Sequence, residues 1–422
     1  MQQGACTLQT RIKSKAINDL EALLAVINND LEGNGIIPLK RMSDTHFARF
    51  VILKELSEEN GQDMRFSLVF SSNFDGSIEN HLRQIVELAG EGLDKVYQFC
   101  EDYPDKPTPD SRLNYLRSHQ IKSQAFYVNT VGRTLHQVKQ DIQLREQIEQ
   151  FLDQRDWSDY DVENLRSAIQ NFVTKTPSLK WATPSDTKRK SFWSAGEMFK
   201  FAVIVVVGIV LLPIIIPLSL IGIVALRIKE KQDNRASDPV VKNLKRHPEL
   251  VIREDFAVQN QFSAIGFVKP GWVRNLTIKI VLWGINLGAH FLYNKGKLTG
   301  VDTIHFARWI MLDQNRRVLF FSNYDGSLES YMDDFINKVA WGLNAAFSNG
   351  IGYPKTNWLV KDGAKDEHAF KAFINKHQIV TQVWDTAYPG LSAVNLANNA
   401  KIREGLWSTM GITEIEEWLQ RF

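Results

Sequence analysis

Cysteine is nearly missing from this chain. Cys6 and Cys100 are the only two in 422 residues, and they form neither a CxxC nor a zinc-type spacing. A disulfide framework and a structural metal site are therefore not expected, and a reducing compartment is. An excess of charge is missing too: 50 basic residues face 48 acidic ones, for a formal net charge of +2. No global field selects nucleic acid as a partner. The opening residues MQQGACTLQTRIKSKA hold no apolar stretch of the secretory type, so no signal segment is expected. Catalytic signatures are also missing: there is no Walker A loop, GxSxG elbow, HExxH helix or kinase set, and no GxGxxG follows a strand.

What the chain does have is a phrase written twice. SSNFDGSIEN (71–80) returns as FSNYDGSLES (321–330), and Gly92-Leu93 and Tyr103-Pro104 return as Gly342-Leu343 and Tyr353-Pro354, all 250 positions on. The offset becomes 258 at His119-Gln120-Ile121 and His377-Gln378-Ile379, and holds to Arg145-Glu146 and Arg403-Glu404. Upstream, DTHFARF (44–50) answers DTIHFARW (302–309). One register kept through separate motifs marks an internal duplication.

Each copy reads as alternating structure. HFARFVILKE and HFARWIMLDQ are strand-like, as are RFSLVFSS and VLFFS. A turn is expected over 57–64 between the first pair. Helices follow the Asp-Gly-Ser phrase, a shorter helix precedes each His-Gln, and IKSQAFYV and IVTQVWDT read as strands. In the second copy a strand within 256–270 and a helix over 272–293 come first; the first copy is expected to keep only a leading helix over 11–31. The order is βαββαβ, so the expected fold is α+β: tandem ferredoxin-like repeats with a hydrophobic membrane insertion between them. The expected domains are a first repeat over 1–155, a helix and polar linker over 156–197, a hydrophobic segment over 198–230 and a second repeat over 250–422. In the repeated phrase, Asn and Asp suit the turn, Gly the positive φ, and Asp or Ser the helix cap.

Residues 201–226 contain no charge. A run of that length points to a membrane span. Against a span stand Pro213 and Pro217 near its middle, and basic residues on both sides: Lys188, Arg189, Lys190 and Lys200 before, Arg227, Lys229 and Lys231 after. The reading favoured here is a re-entrant hairpin, whose arms of about 12 residues would reach about 18 Å, one leaflet deep. The protein would then be monotopic, with both repeats on the cytoplasmic face and the lipid bilayer as partner. Trp272, Trp283, Phe291 and Tyr293, with Arg274 and Lys279, suit 272–293 to the headgroup layer, or to packing on a sheet, or to both.

Four residue types recur in both copies and are the candidate site residues: His46 and His305, Arg49 and Arg308, Asp75 and Asp325, His119 and His377. In a regular strand positions three apart face opposite ways, so His46 and Arg49 are expected on different faces. The expected bland role is a buried pair of Arg with the Asp of the neighbouring strand end.

Two resemblances follow from these motifs. Tandem ferredoxin-like units resemble the dimeric α+β barrel superfamily, which includes dye-decolorising peroxidases and chlorite dismutase-like proteins. The resemblance implies haem, with His377 or His305 as iron ligand and Asp75-Gly76 or Asp325-Gly326 in place of the peroxidases' Gly-x-x-Asp-Gly; Ser72 and Ser322 stand where its first Gly would be. The stretches VQNQFSAIGFVKPGWVR (258–274), IHFARWI (304–310), SNYDGSLESYMDDFI (322–336) and HQIVTQVWDTAYPGL (377–391) resemble a widespread group of bacterial membrane-associated proteins, which supplies no activity to carry over.

Three functions are thus in play. The first is a membrane-attached protein that binds or processes an amphipathic, lipid-like ligand. The second is a haem-dependent, peroxidase-like enzyme. The third is a non-enzymatic scaffold whose copies pair as a homo-oligomer. None calls for nucleic acid.

Overall fold

The computed structural model describes residues 3–54, 65–184, 195–233, 257–296, 298 and 300–422. The turn expected at 57–64, Lys188, Arg189, Lys190 and Phe256 lie outside the described residues. Helices and antiparallel sheets make up a chain that divides into two compact units, Met1–Leu135 with Leu220–Gly390, and His136–Ser219 with Leu391–Phe422.

The first unit holds two four-stranded sheets. One runs β1 (Gln3–Arg11), β3 (Phe66–Asp75), β2 (Thr45–Lys54), β10 (Thr381–Thr386); the other runs β4 (Ala125–Val128), β6 (Ile304–Leu312), β7 (Arg317–Asp325), β5 (Gln259–Phe267). The first copy does have an opening strand. Leu8 and Thr10 alternate into the core, β1 pairs with β3 over its full length, and the leading helix is confined to α1 (Ile17–Asn29). Registers match across the two sheets: Gln3 lies opposite Asp75, and Gln259 opposite Asp325.

Each copy lends its last strand to the other. β4 pairs with β6, and β10 pairs with β2. Just before each exchanged strand the chain touches its own first strand. The Ile121 N–H donates to the Thr7 carbonyl at 2.8 Å and the Ile379 N–H to the Ser263 carbonyl at 2.9 Å, with bridges Leu8–Gln120 and Ala264–Gln378. The two sheets are therefore linked along both pairs of edges. Between them Val51, Leu53 and Val69 meet Ile310, Leu312, Leu319 and Phe321, each contributing roughly 1.5–3 kcal/mol of burial. These side chains fill the space between the two sheets.

Helices cover the outer faces. On one sheet α1, α2 (Ile78–Tyr97) and α3 (Pro109–Ser118) enclose Phe50, Leu68, Phe70 and Phe74. On the other, α7 (Trp272–Phe291), α8 (Leu328–Phe347) and α9 (Glu367–His377) enclose Phe262, Trp309 and Phe320. A two-stranded ribbon, β8 (Thr356–Asn357) with β9 (Lys361–Asp362), follows α8. The repeated phrase divides its labour. Gly76 and Gly326 take φ of 91° and 78°, while Ser77 and Ser327 cap α2 and α8, accepting from the N–H of Asn80 and Ser330. Both aspartates are left for another task. Gly92 of α2 has a different reason: a Cβ there would lie 1.5 Å from the Ile36 carbonyl oxygen.

The second unit is helical, with α4 (Leu135–Leu152), α5 (Val162–Lys175), α10 (Ala393–Leu406) and α11 (Ile412–Leu419) around Leu144, Ile148, Ile169, Ile402, Leu406 and Trp418. Arg403 of α10 meets Asp141 of α4 at 2.6 Å. Arg166 satisfies the carbonyls of Gly405, Leu406 and Ser408, one helix end that would otherwise be orphaned.

Residues 195–232 form one helix, α6 (Ala195–Gln232), and not two arms of a hairpin. At 38 residues it is about 57 Å long. Pro213 and Pro217 lie inside it. Each proline already has a helical φ, and removes one N–H while freeing the carbonyl four residues earlier, so the remaining ladder carries the helix past both. From 202 onwards α6 is long and apolar enough to cross a membrane, by length and composition.

Candidate functional site

The two histidine–aspartate sets converge. A register shift between Thr45 and Phe47, and another between Ile304 and Phe306, breaks the alternation of β2 and β6. As a result His46 and Arg49 both reach the space between the sheets, which corrects the expectation of opposite faces. His46 Nε2 lies 3.0 Å from Asp75 Oδ1, and His305 Nε2 lies 2.7 Å from Asp325 Oδ1, all four nine-tenths or more buried. The rings interlock: Phe306 packs on His46 at 5.3 Å, and Phe47 on His305 at 5.4 Å.

A residue that sequence reasoning missed completes one side. Tyr388 Oη is 3.2 Å from His46 Nδ1, and its 258-residue counterpart is Thr130. Burial, then the charges of Asp75 and Asp325, hold the phenol well above its ordinary pKa despite Arg133, so it stays protonated. With a neutral imidazole, the Tyr388 hydroxyl donates to Nδ1, Nε2–H donates to Asp75, and the Leu135 N–H donates to the other carboxylate oxygen at 2.6 Å. That chain can hold and orient a proton at Nε2. The only hint in the sequence was the break of symmetry itself, a tyrosine in one copy and a threonine in the other.

The arginines do not pair with the aspartates, as expected above, but cross between sheets. Arg49 donates to the carbonyls of Phe262 and Ser322, each at 3.0 Å, to Ser263 Oγ at 3.0 Å and to Asn323 Oδ1. Arg308 does the reciprocal, reaching the carbonyls of Cys6 at 2.6 Å and Ser72 at 2.8 Å, and Thr7 Oγ1 at 3.1 Å. Burial pushes Arg49 well below its ordinary range, helped by Arg308, and pulls Arg308 down to about 10. Their donors go to main-chain, hydroxyl and amide oxygens, so they stitch the two sheets together.

His119 and His377 are brought into neither set. Each turns Nδ1 back to a carbonyl of its own helix, Tyr115 at 2.8 Å and Phe373 at 2.7 Å, and packs on that residue's ring. The cavity that His377 lines is ≈ 40 Å³, far below the roughly 300 Å³ at which small-molecule sites begin. His305 has Nε2 on Asp325 and its ring against Phe47 and Tyr388. These residues do not fit haem. Among the described residues no three His, Cys, Asp or Glu side chains gather to hold a metal ion.

One space large enough for a ligand lies on the outer face of the second sheet, under α7 and α8. A cavity of ≈ 340 Å³ is lined almost wholly by apolar side chains, among them Phe320, Met332, Phe335 and Trp341. Gly284 and Gly288 open it from α7, and a Cβ at Gly284 would meet nothing within 4 Å. Trp309 lines it and has an indole N–H with no hydrogen-bond partner. In α8, Val339 breaks helical geometry at φ −138°, ψ 23°. Trp341, just beyond that break, lines the cavity yet is 53% exposed, marking its mouth.

The outward face of α7 is apolar as well. Trp272, Leu276, Ile280 and Trp283, at helical spacing, are all exposed, while Arg274, Ile278, Leu282 and Ala289 are buried. The packing on a sheet expected of this helix is present, and its outer face carries an apolar stripe. No family model, no curated protein and no solved structure matches this chain.

Proposed function

We propose that this is a membrane-attached protein that takes a lipid-like, amphipathic ligand into the cavity under α7 and α8. In this reading the two halves are tandem ferredoxin-like repeats closed on each other in the manner of a dimeric α+β barrel. The matched registers, the reciprocal exchange of β4 and β10 and the paired edge bridges support it. α6 is the membrane anchor; since chain before and after it builds the same sheets, it seats in one face of the bilayer without crossing it, and Lys200, Arg227, Lys229 and Lys231 favour the cytoplasmic face.

The observation that carries the ligand class is the cavity itself. It is almost wholly apolar, opens beside an exposed tryptophan, and neighbours a helix whose outer stripe is apolar. An acyl chain satisfies such a lining, and a carbonyl on it would accept from the Trp309 N–H, which otherwise stays unsatisfied in the interior. The His46–Tyr388 side of the barrel serves as a structural centre in this reading.

Native mass spectrometry of the detergent-purified full chain tests it. A bound long-chain amphipath is expected on the wild-type protein and on few copies of Gly284→Phe, which sets a ring at the exposed rim of the cavity, where a Cβ meets nothing within 4 Å. Wild-type protein with no apolar adduct, or equal loading of the variant, overturns the reading.

A further inference from the structure

A second space in the first unit differs from the apolar cavity in every respect. Where the uncharged run of α6 ends, Arg227, Lys229 and Lys231 follow within two turns. Asp233, directly after the helix, accepts from Lys269 Nζ at 2.8 Å and from Arg274 Nη2 at 2.5 Å. One carboxylate therefore serves two cations. Beside them runs a groove of ≈ 1210 Å³, lined on its cationic side by Lys229, Lys269, Arg274, Lys355 and Lys365.

Among the described residues, the acidic ones that line the groove are Asp233, Asp362 and Asp366, and each is engaged. Asp366 caps α9, accepting from the Ala369 N–H at 3.1 Å; Asp362 accepts from Asn357 Nδ2. Among the described residues that line the groove, five cations thus outnumber three carboxylates, all three of them engaged. Burial pulls the Lys269 ammonium down even with Asp233 beside it. A further anion placed here would be welcomed by the field, and a multi-oxygen anion would match several donors at once.

We propose that this groove binds a phosphoryl group, that of an anionic lipid headgroup. The phosphoryl chemistry follows from the cations; the lipid source rests on the reading that α6 inserts in a bilayer. Under that reading the apolar run ends within a turn of Lys229, so the groove mouth lies at the depth of the headgroups. Arg227 lies over the exposed ring of Trp358 at 5.3 Å, the pairing of a cation and an amphipathic ring found at membrane surfaces.

The test uses the full chain in nanodiscs of phosphatidylcholine with and without phosphatidylglycerol, and the variant Lys355→Glu/Lys365→Glu, both positions being exposed. Wild-type protein extracted from the mixed discs is expected to retain phosphatidylglycerol preferentially. The variant, with an unchanged melting temperature, is expected to lose that preference by roughly tenfold or more. Inorganic phosphate added to the detergent-solubilised protein separates the sources. Stabilisation by phosphate without phosphatidylglycerol enrichment supports a phosphoryl site and overturns the lipid assignment. Equal retention of both lipids with no effect of phosphate, or the same preference in the variant, overturns the proposal altogether. Gly284→Phe is expected to leave the phosphatidylglycerol preference intact, so an empty apolar cavity and a failed groove are read separately.

Discussion

Asn323 Nδ2 donates to Asn73 Oδ1 at 3.1 Å, although 250 residues separate them and both occupy the same place in the repeated phrase. Asn323 Oδ1 in turn accepts from Arg49 and from Trp384 Nε1 at 3.0 Å. This pair is where the two sheets recognise each other. Asn323→Leu leaves Arg49, Trp384 and Asn73 each short of a partner, and about 2–4 kcal/mol of stability should go with it. A double-mutant cycle with Asn73→Ala, followed by chemical denaturation, should return a coupling of roughly 0.5–3 kcal/mol. Strict additivity would show that the contact does not join the sheets.

Asp94 supplies the pH test. Burial pushes its carboxyl up, but hydrogen bonds from Arg112 and Tyr103 outweigh this and hold it below the usual range. Arg112 grips both oxygens, at 2.9 and 2.5 Å, and Tyr103 Oη lies at 2.6 Å. A depressed folded-state pKa stabilises above the unfolded value of 3.8 and is lost as pH falls through the folded value. Asp94→Asn should therefore cost about 1–3 kcal/mol at neutral pH. The gap between variant and wild type should close below about pH 4. A gap that stays constant down to acid pH would contradict this account.

Glu230 ties the end of α6 to the ribbon. Its carboxylate accepts from the N–H groups of Trp358 at 2.9 Å and Leu359 at 2.7 Å, from Thr356 Oγ1 at 3.1 Å and from Arg227 at 3.0 Å, while fully buried. Trp358 and Leu359 sit at φ of 54° and 65°, a conformation that needs such support in residues with a side chain. Glu230→Gln turns an amide donor towards a backbone donor. Hydrogen exchange at Trp358 and Leu359 should accelerate about 10-fold or more, consistent with the roughly 1–3 kcal/mol of a lost acceptor. Unchanged protection would mean that the turn holds itself.

The outer stripe of α7 is testable by cysteine chemistry. Cys6 and Cys100 are buried, and burial pushes their thiols up to about 12 and about 11, so neither competes for label. A polarity-sensitive fluorophore on Ile280→Cys should shift to the blue in lipid vesicles. The same label on Val26→Cys of α1, another exposed apolar position, should not. Equal responses at both sites would remove α7 from the membrane surface.

Much of this was legible in the chain alone. Most of the strand and helix order of the two copies follows from β-branched alternation, from Ser at the helix caps and from Gly at positive φ, all of them local constraints that act within a few residues. The uncharged run of 201–226 likewise declares an apolar helix by composition. Sequence failed where distant elements meet. The first strand of copy one was hidden because its worth lies in pairing with β3, some sixty residues away. The hairpin expectation failed because prolines interrupt single hydrogen bonds, whereas continuity is decided by the whole ladder.

What only the tertiary structure decided is which partners share a space. Two register shifts turned His46 and His305 inward, strand exchange set Arg49 and Arg308 on the opposite copy's carbonyls, and Tyr388 joined one side but not the other. The apolar cavity is lined by glycines of α7 and by the break in α8, two helices brought together on one sheet. Local propensity acts along the chain; cavities, crossings and buried pairs belong to the packing between elements far apart in it.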